Sequence, residues 1–174
     1  MVEFKFEAPT IGRGFFMVKG NFYFIKNEYF DRFKDKFLMQ NKEKVSGEVH
    51  NRPCFYAFKD DKTDLLWLIP FSSQIDKFKK IYDDKVNKYK KCDTVVFGEV
   101  LGYEKAFLIQ NICPITEDYI ENEYVDSNNN PVKVEEKLEK ELVSKAKKVV
   151  RLVRNGIKLT FTDILKIEKE LLSI

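Results

Sequence analysis

The sequence predicts an α+β domain in which a small, strongly bent antiparallel sheet or barrel carries helices on its outside. Three observations lead there. Short runs rich in aromatic and β-branched residues recur at 21–25, 53–58, 65–71, 94–101 and 106–112, with turn residues between them. Helical periodicity interrupts these runs twice and then dominates from residue 133 to the end. The links are mostly short and hairpin-like, unlike the regular strand–helix–strand alternation of a parallel sheet.

Each element follows in order. Residues 1–20 are read as an N-terminal extension: Gly12, Gly14 and Gly20 break any period, although Phe15-Phe16-Met17-Val18 has strand character. Asn21 to Ile25 is a strand. Asn27 is the expected cap of a helix reaching about Phe37, with Tyr29, Phe30, Phe33 and Phe37 at helical spacing. Residues 38–50 are polar and read as a loop. Pro53 to Phe58 and Leu65 to Phe71 form a hairpin about a turn at 60–63. Ser72 or Ser73 is the expected N-cap of a helix to about Lys90, since a serine hydroxyl can accept a first-turn amide. Thr94–Leu101 and Ala106–Ile112 form a second hairpin joined at Gly102, and Thr116 starts a short turn or helix to Ile120. After the loop Asn128–Pro131, a helix over 133–155 puts Val134, Leu138, Leu142, Ala146, Val149 and Val153 on one face. It puts Lys140, Lys147, Arg151 and Arg154 on the other. Gly156 is its expected C′ residue, and a last helix runs from Asp163 to Leu172 behind Thr162 as cap.

One domain over 1–174 fits the length, with 133–174 as helices packed on the sheet. Hydrophobic content of 44% and charged content of 34% exclude a disordered chain. The longest apolar run, Leu65 to Phe71, is far shorter than the roughly 20 residues that span a bilayer. Cys54, Cys92 and Cys113 are widely spaced, which argues against a disulfide framework and a structural zinc site. A reducing, cytoplasmic setting without metal or cofactor is the expectation. The net charge of +3 is a mild excess. Sixteen Phe and eight Tyr suit core filling or, if exposed, base stacking.

Four stretches together carry a resemblance. They are Asn21-Phe-Tyr-Phe-Ile-Lys-Asn-Glu-Tyr29, His50-Asn-Arg-Pro-Cys-Phe-Tyr56, Trp67-Leu-Ile-Pro-Phe-Ser-Ser73 followed by Lys77, and Phe107-Leu-Ile-Gln-Asn-Ile-Cys-Pro-Ile115. In this order they resemble the ToxN/AbiQ superfamily of type III toxin–antitoxin toxins, most of all its CptIN-like branch, over about residues 21–172. The resemblance implies a distorted SH3-like barrel related to the MazF and Kid toxins. It also implies metal-independent, sequence-specific cleavage of cellular or phage RNA, in phage defence by abortive infection. The implied partner is a repeated antitoxin RNA that folds as a pseudoknot and alternates with toxin in a closed ring. The chain departs from the ToxN pattern at two points. Arg52 stands where a lysine is usual, and Gln74-Ile75-Asp76 separate the serine pair from Lys77.

Cleavage of this kind uses the RNA 2′-hydroxyl as nucleophile, a base for its proton, an acid for the leaving 5′ oxygen, and fixed donors for the phosphorane charge. Candidates sit in the matching segments. Ser72 and Ser73 stand between strand and helix, where free amides and the helix dipole favour a phosphate. Lys77, about 6 Å further along the helix, can add charge. Arg52 can grip a phosphate with two nitrogens. His50, the single histidine, has an ordinary pKa suited to proton transfer. Tyr29 can orient the 2′-hydroxyl or stack a base. Asn51, Lys79, Lys80, Lys88, Lys140, Lys147, Arg151 and Arg154 are candidate RNA contacts. Each also has a plainer reading: a helix cap for the serines, solvated lysines on the helices, a core aromatic for Tyr29. An RNA-binding module without catalysis, or a protein interaction domain, would share the basic faces and the barrel.

Overall fold

Leu66-Trp-Leu-Ile-Pro-Phe-Ser72 is buried along its whole length, and the reason is its position in the sheet. The computed structural model describes residues 16–39, 42–45 and 48–173, with the backbone alone at 42–45 and 48–51. The elements run β1 (Phe22–Ile25), α1 (Asn27–Arg32), β2 (Lys42–Val45), β3 (Glu48–Asn51), β4 (Cys54–Lys59), β5 (Leu66–Ser72) and α2 (Ile75–Tyr89). They continue with β6 (Val95–Val100), β7 (Tyr103–Leu108), β8 (Cys113–Ile115), β9 (Ile120–Glu123), α3 (Glu136–Arg154) and α4 (Ile164–Leu172). The main sheet has seven strands in the order β6-β7-β5-β4-β1-β9, and β8 also pairs with β5. β5 thus has β4 on one edge, and on the other β8 at its start and β7 at its end. All these pairings are antiparallel, as the α+β reading requires.

The sheet bends where one strand carries an extra residue. Tyr56 faces Leu68 but Phe58 faces Trp67, so Ala57 is bulged out of the ladder. Phe24 faces Asn122 but Ile25 faces Ile120, a second irregularity of the same kind. Bulges raise the local twist and turn a flat sheet into a curved one. The β6–β7 turn is a two-residue hairpin with positive φ at both Leu101 and Gly102, the twist that hairpins favour.

Alternation along the strands divides the core. Phe22, Phe55, Trp67, Ile69, Phe71 and Phe107 pack against Leu138, Leu142, Ala146 and Val149 of α3. The opposite parity, including Tyr23, Cys54, Tyr56, Leu66 and Leu68, packs with Tyr29, Phe33, Ile167 and Leu171. Beneath α2 lies a third cluster of Phe78, Val95, Ala106 and Leu108. Each fully buried large side chain contributes about 1.5–3 kcal/mol relative to an exposed one. α3 approaches β6 so closely that a Cβ on Gly98 would lie 2.1 Å from a methyl of Leu138. α3 ends as expected: Gly156 has φ +90°, its amide bonds Val153 and the Ile157 amide bonds Leu152.

Several boundaries differ from those expected. α1 stops at Arg32, and its N-cap is Lys26 rather than Asn27. The Asp35 carboxylate accepts the amides of Phe37 and Asp163, offering the chain an alternative to further helix. Residues 42–51 contain the two-stranded β2–β3 hairpin rather than a loop throughout, with Glu43 opposite His50. The cap of α2 is Gln74, and the cap of α4 is Asp163, whose side chain accepts the Lys166 amide in place of Thr162. α3 starts at Glu136, three residues later than the periodicity suggested. Phe16 to Val18 is not a strand; the remainder of the N-terminal extension, residues 1–15, lies outside the described residues.

Candidate active site

The serine pair lies at the end of β5. Ser72 pairs with Ala106 on β7, is almost fully buried, and its hydroxyl accepts the Gln74 amide at 3.2 Å. The Ser73 carbonyl accepts the Ile75 amide at 2.9 Å. Neither serine is therefore the cap residue of α2, although together they accept the amides of the cap residue Gln74 and of Ile75, the first residue of the helix. Asp76 lies within that turn, at the positive end of the helix.

The Ser73 hydroxyl is engaged from across the sheet. Lys105 Nζ donates to Ser73 Oγ at 2.6 Å. Lys105 is half-buried on β7, and its ammonium also stands 5.9 Å from the ring centroid of Tyr103, two residues back on the same face. Lys105 was not legible as a site residue beforehand. Its local sequence, Tyr103-Glu-Lys-Ala-Phe107, is that of an ordinary strand, and only the β5–β7 register brings it to Ser73.

Arg52 arrives from β4. Cys54 pairs with Pro70, two residues before Ser72, and Arg52 lies two residues before Cys54. Arg52 is nine-tenths buried, and its charge opposes the rise that burial imposes on the Cys54 thiol pKa. On β7, alternation puts Lys105 on the face opposite Ala106, the strand partner of Ser72. His50 and Asn51 end β3 immediately before Arg52; their backbones face Glu43 and Lys42, and their side chains lie outside the described ones. Lys77 is exposed one turn into α2, with its ammonium 5.4 Å from the Phe78 ring centroid.

Tyr29 is not part of this cluster. It has no exposed surface, its hydroxyl donates to the Pro114 carbonyl at 2.7 Å, and its ring centroid lies 4.9 Å from that of Phe33. Burial pushes its pKa well above the ordinary tyrosine value. The core-aromatic reading holds, and Tyr29 is corrected out of the site. All three cysteines are free and buried, and burial pushes the Cys113 thiol up to about 12.

The basic residues divide in a similar way. Arg154 binds Asp60 Oδ2 at 2.7 Å and the Glu168 carboxylate, and its guanidinium lies 5.7 Å from the Trp67 ring centroid. It staples α3 to the β4–β5 turn and to α4, an observation that favours a structural role over an RNA contact. Lys140 pairs with Glu136 at 2.5 Å within α3, and Lys79 with Glu104 at 3.4 Å. Lys147 lies 5.8 Å from the Phe58 ring centroid with its head in solvent. Lys80, Lys88 and Arg151 are exposed. Among the described residues no group of three or more His, Cys, Asp or Glu is placed to hold a metal, and no helix is long and apolar enough to cross a membrane.

A bent antiparallel sheet with helices on its outside makes this an α+β protein, and the comparison with solved structures finds that fold again. One solved structure, from work showing that a processed non-coding RNA regulates a bacterial antiviral system, matches with a TM-score of 0.53. The match covers 78% of this chain and 87% of that one, at 15% sequence identity. The likeness is one of fold. No protein-family model matches the chain, and comparison with curated proteins finds no match.

Proposed function

We propose that the chain is the toxin of a type III toxin–antitoxin system: a metal-independent endoribonuclease held inactive by a repeated RNA pseudoknot. The observation that carries this reading is the Lys105–Ser73 contact at the end of β5, in a fold shared with a solved structure from an RNA-regulated antiviral system. A cationic donor held against a hydroxyl at a strand-to-helix junction suits a phosphate whose charge grows during reaction.

In the proposed reaction the RNA 2′-oxygen attacks the adjacent phosphorus and the bond to the 5′ oxygen breaks. The products are a 2′,3′-cyclic phosphate and a free 5′-hydroxyl. Ser73 and Lys105 hold the non-bridging oxygens with Arg52, and Lys77 adds charge at the mouth of the site. His50 is assigned to proton transfer and Asn51 to substrate contact. The bulged, curved sheet supports a distorted SH3-like barrel of the MazF and Kid kind. Lys80, Lys88, Lys147 and Arg151 offer exposed charge to antitoxin RNA, and a closed toxin–RNA ring, cytoplasmic action and abortive phage defence belong to the same reading.

The test is incubation of purified protein, in EDTA, with RNA transcribed from repeats upstream of its gene. Discrete cuts ending in 2′,3′-cyclic phosphate are expected. RNA that stays intact but tightly bound would reduce the protein to an RNA-binding module. Intact, unbound RNA would remove the reading altogether.

A further inference from the structure

At the far end of α2 from the serines, a cleft of about 540 Å³ opens between the α2 C-terminus, the start of β6 and the connection from α3 to α4. No residue of the proposed active site lines it. Its walls include Tyr89 and Phe161, and its charged residues are Lys85, Lys91, Lys158 and Asp93. Tyr89 and Phe161 are large aromatics left 59% and 49% exposed, where most such residues are buried.

Lys85 is the informative member. Its ammonium donates to Thr94 Oγ1 at 2.5 Å and Gln110 Oε1 at 3.1 Å, both neutral acceptors. An ammonium has three N–H donors, and among the described residues none of its contacts is a carboxylate. A half-buried cation held by neutral groups beside an open cleft retains its attraction for an anion. Burial lowers its pKa, the sign expected of a desolvated ammonium lacking a counter-charge. The one acid in the wall, Asp93, is already held by Lys148 at 2.7 Å and Lys91 at 3.8 Å. Lys158 adds further charge at the cleft.

We infer that this cleft is a nucleotide subsite, taking one unstacked base of single-stranded RNA against Tyr89 and Phe161 and its phosphate at Lys85 and Lys158. The ligand class follows from the pairing of exposed aromatic rings with cations, because every base has a π-face and every nucleotide an adjacent anion. The inference rests on the RNA reading of the protein but not on the serine site. It makes the cleft a holding point for RNA at a distance from the cut.

The experiment measures fluorescence anisotropy of labelled hexauridylate and hexaadenylate with full-length wild type, Tyr89→Ala, Phe161→Ala and Lys85→Met, using 5′-UMP and 5′-AMP as competitors. Circular dichroism confirms folding of each variant. Loss of one stacking ring is expected to weaken both RNAs by roughly 5- to 150-fold. Lys85→Met should weaken both and reduce the salt slope by about one phosphate contact. The exposed ring variants keep the test open should Lys85→Met fail to fold. RNA bound equally by wild type and folded ring variants overturns the subsite and leaves the RNA reading intact. Wild type that binds neither RNA overturns both. Displacement of bound hexamer by either mononucleotide at concentrations below the hexamer's own dissociation constant would mean a free-nucleotide site, and would overturn the RNA assignment of the cleft.

Discussion

Lys105 Nζ and Ser73 Oγ meet at 2.6 Å although the whole of α2 and β6 separates the two residues in sequence. The contact puts a cation where a hydroxyl and a helix start already face the rim of the sheet. Lys105→Ala is expected to slow single-turnover RNA cleavage by roughly 100- to 1000-fold, the usual cost of losing a preorganised charge-stabilising donor. Lys105→Arg should keep part of the rate, and thermal melting should be unchanged in both. Full activity in Lys105→Ala would remove the residue from the reaction.

Tyr29→Phe separates a structural tyrosine from a reacting one. Removing its hydroxyl leaves the buried Pro114 carbonyl without that donor, at a cost of about 1–3 kcal/mol. The urea midpoint should fall while cleavage by the folded fraction is unchanged. A rate loss without a stability loss would restore Tyr29 to the site.

Arg154 and Arg151 share a helix and should behave oppositely. Arg154→Ala removes a donor to Asp60 and Glu168, one third exposed, and should destabilise by about 1–2 kcal/mol after allowance for solvent screening. Its effect on RNA affinity should be negligible. Arg151→Ala should leave melting unchanged and shift RNA binding and its salt slope.

The Arg154–Asp60 contact also has a pH signature. Burial alone would raise the Asp60 pKa, but the amides of Lys62 and Thr63 and the Arg154 charge outweigh it and hold the carboxyl below its ordinary value. A depressed folded-state pKa gives stability that is present above the unfolded value, near pH 4, and lost as pH falls through the folded one. The melting difference between wild type and Asp60→Asn should be constant near neutrality and shrink below about pH 4. A difference that grows on acidification would contradict the assignment.

Gly98→Ala tests the seat of α3. Its Cβ would meet a buried Leu138 methyl, so Leu138 must shift within a packed core, at about 1–3 kcal/mol. Combining it with Leu138→Ala should give less than the sum of the two single effects in chemical denaturation.

Much of the sheet could be read from the sequence because its strands announce themselves chemically. Phe22 to Ile25, Phe55 to Phe58 and Leu66 to Phe71 are aromatic or branched runs, and Gly102 marks a hairpin that forms as expected. β2 and β3 do not show in the sequence because Lys42-Glu-Lys-Val45 and Glu48-Val-His-Asn51 have too few apolar residues to mark a strand face. The α4 cap was misplaced by one residue because Thr162 and Asp163 are both good caps, and only geometry chooses between them. At the candidate site, Ser72 and Ser73 stand out in the sequence by strand-to-helix punctuation, and Arg52 by segment resemblance. Lys105 was not, because strand register is a property of the folded chain. Arg154 looked like solvent-facing charge because its acids, Asp60 and Glu168, lie on other elements.

The double occupancy of one edge of β5 has a consequence for synthesis on the ribosome. When residues 54–72 emerge, β4 and β5 can pair at once, but the other edge of β5 stays open until residues 103–115 follow. The partner of the Ser73 hydroxyl is therefore among the later arrivals. Long-range strand pairing is also the slow part of folding. A nascent chain carries its serines for some time before it carries their lysine, and this delay separates translation from the completed site.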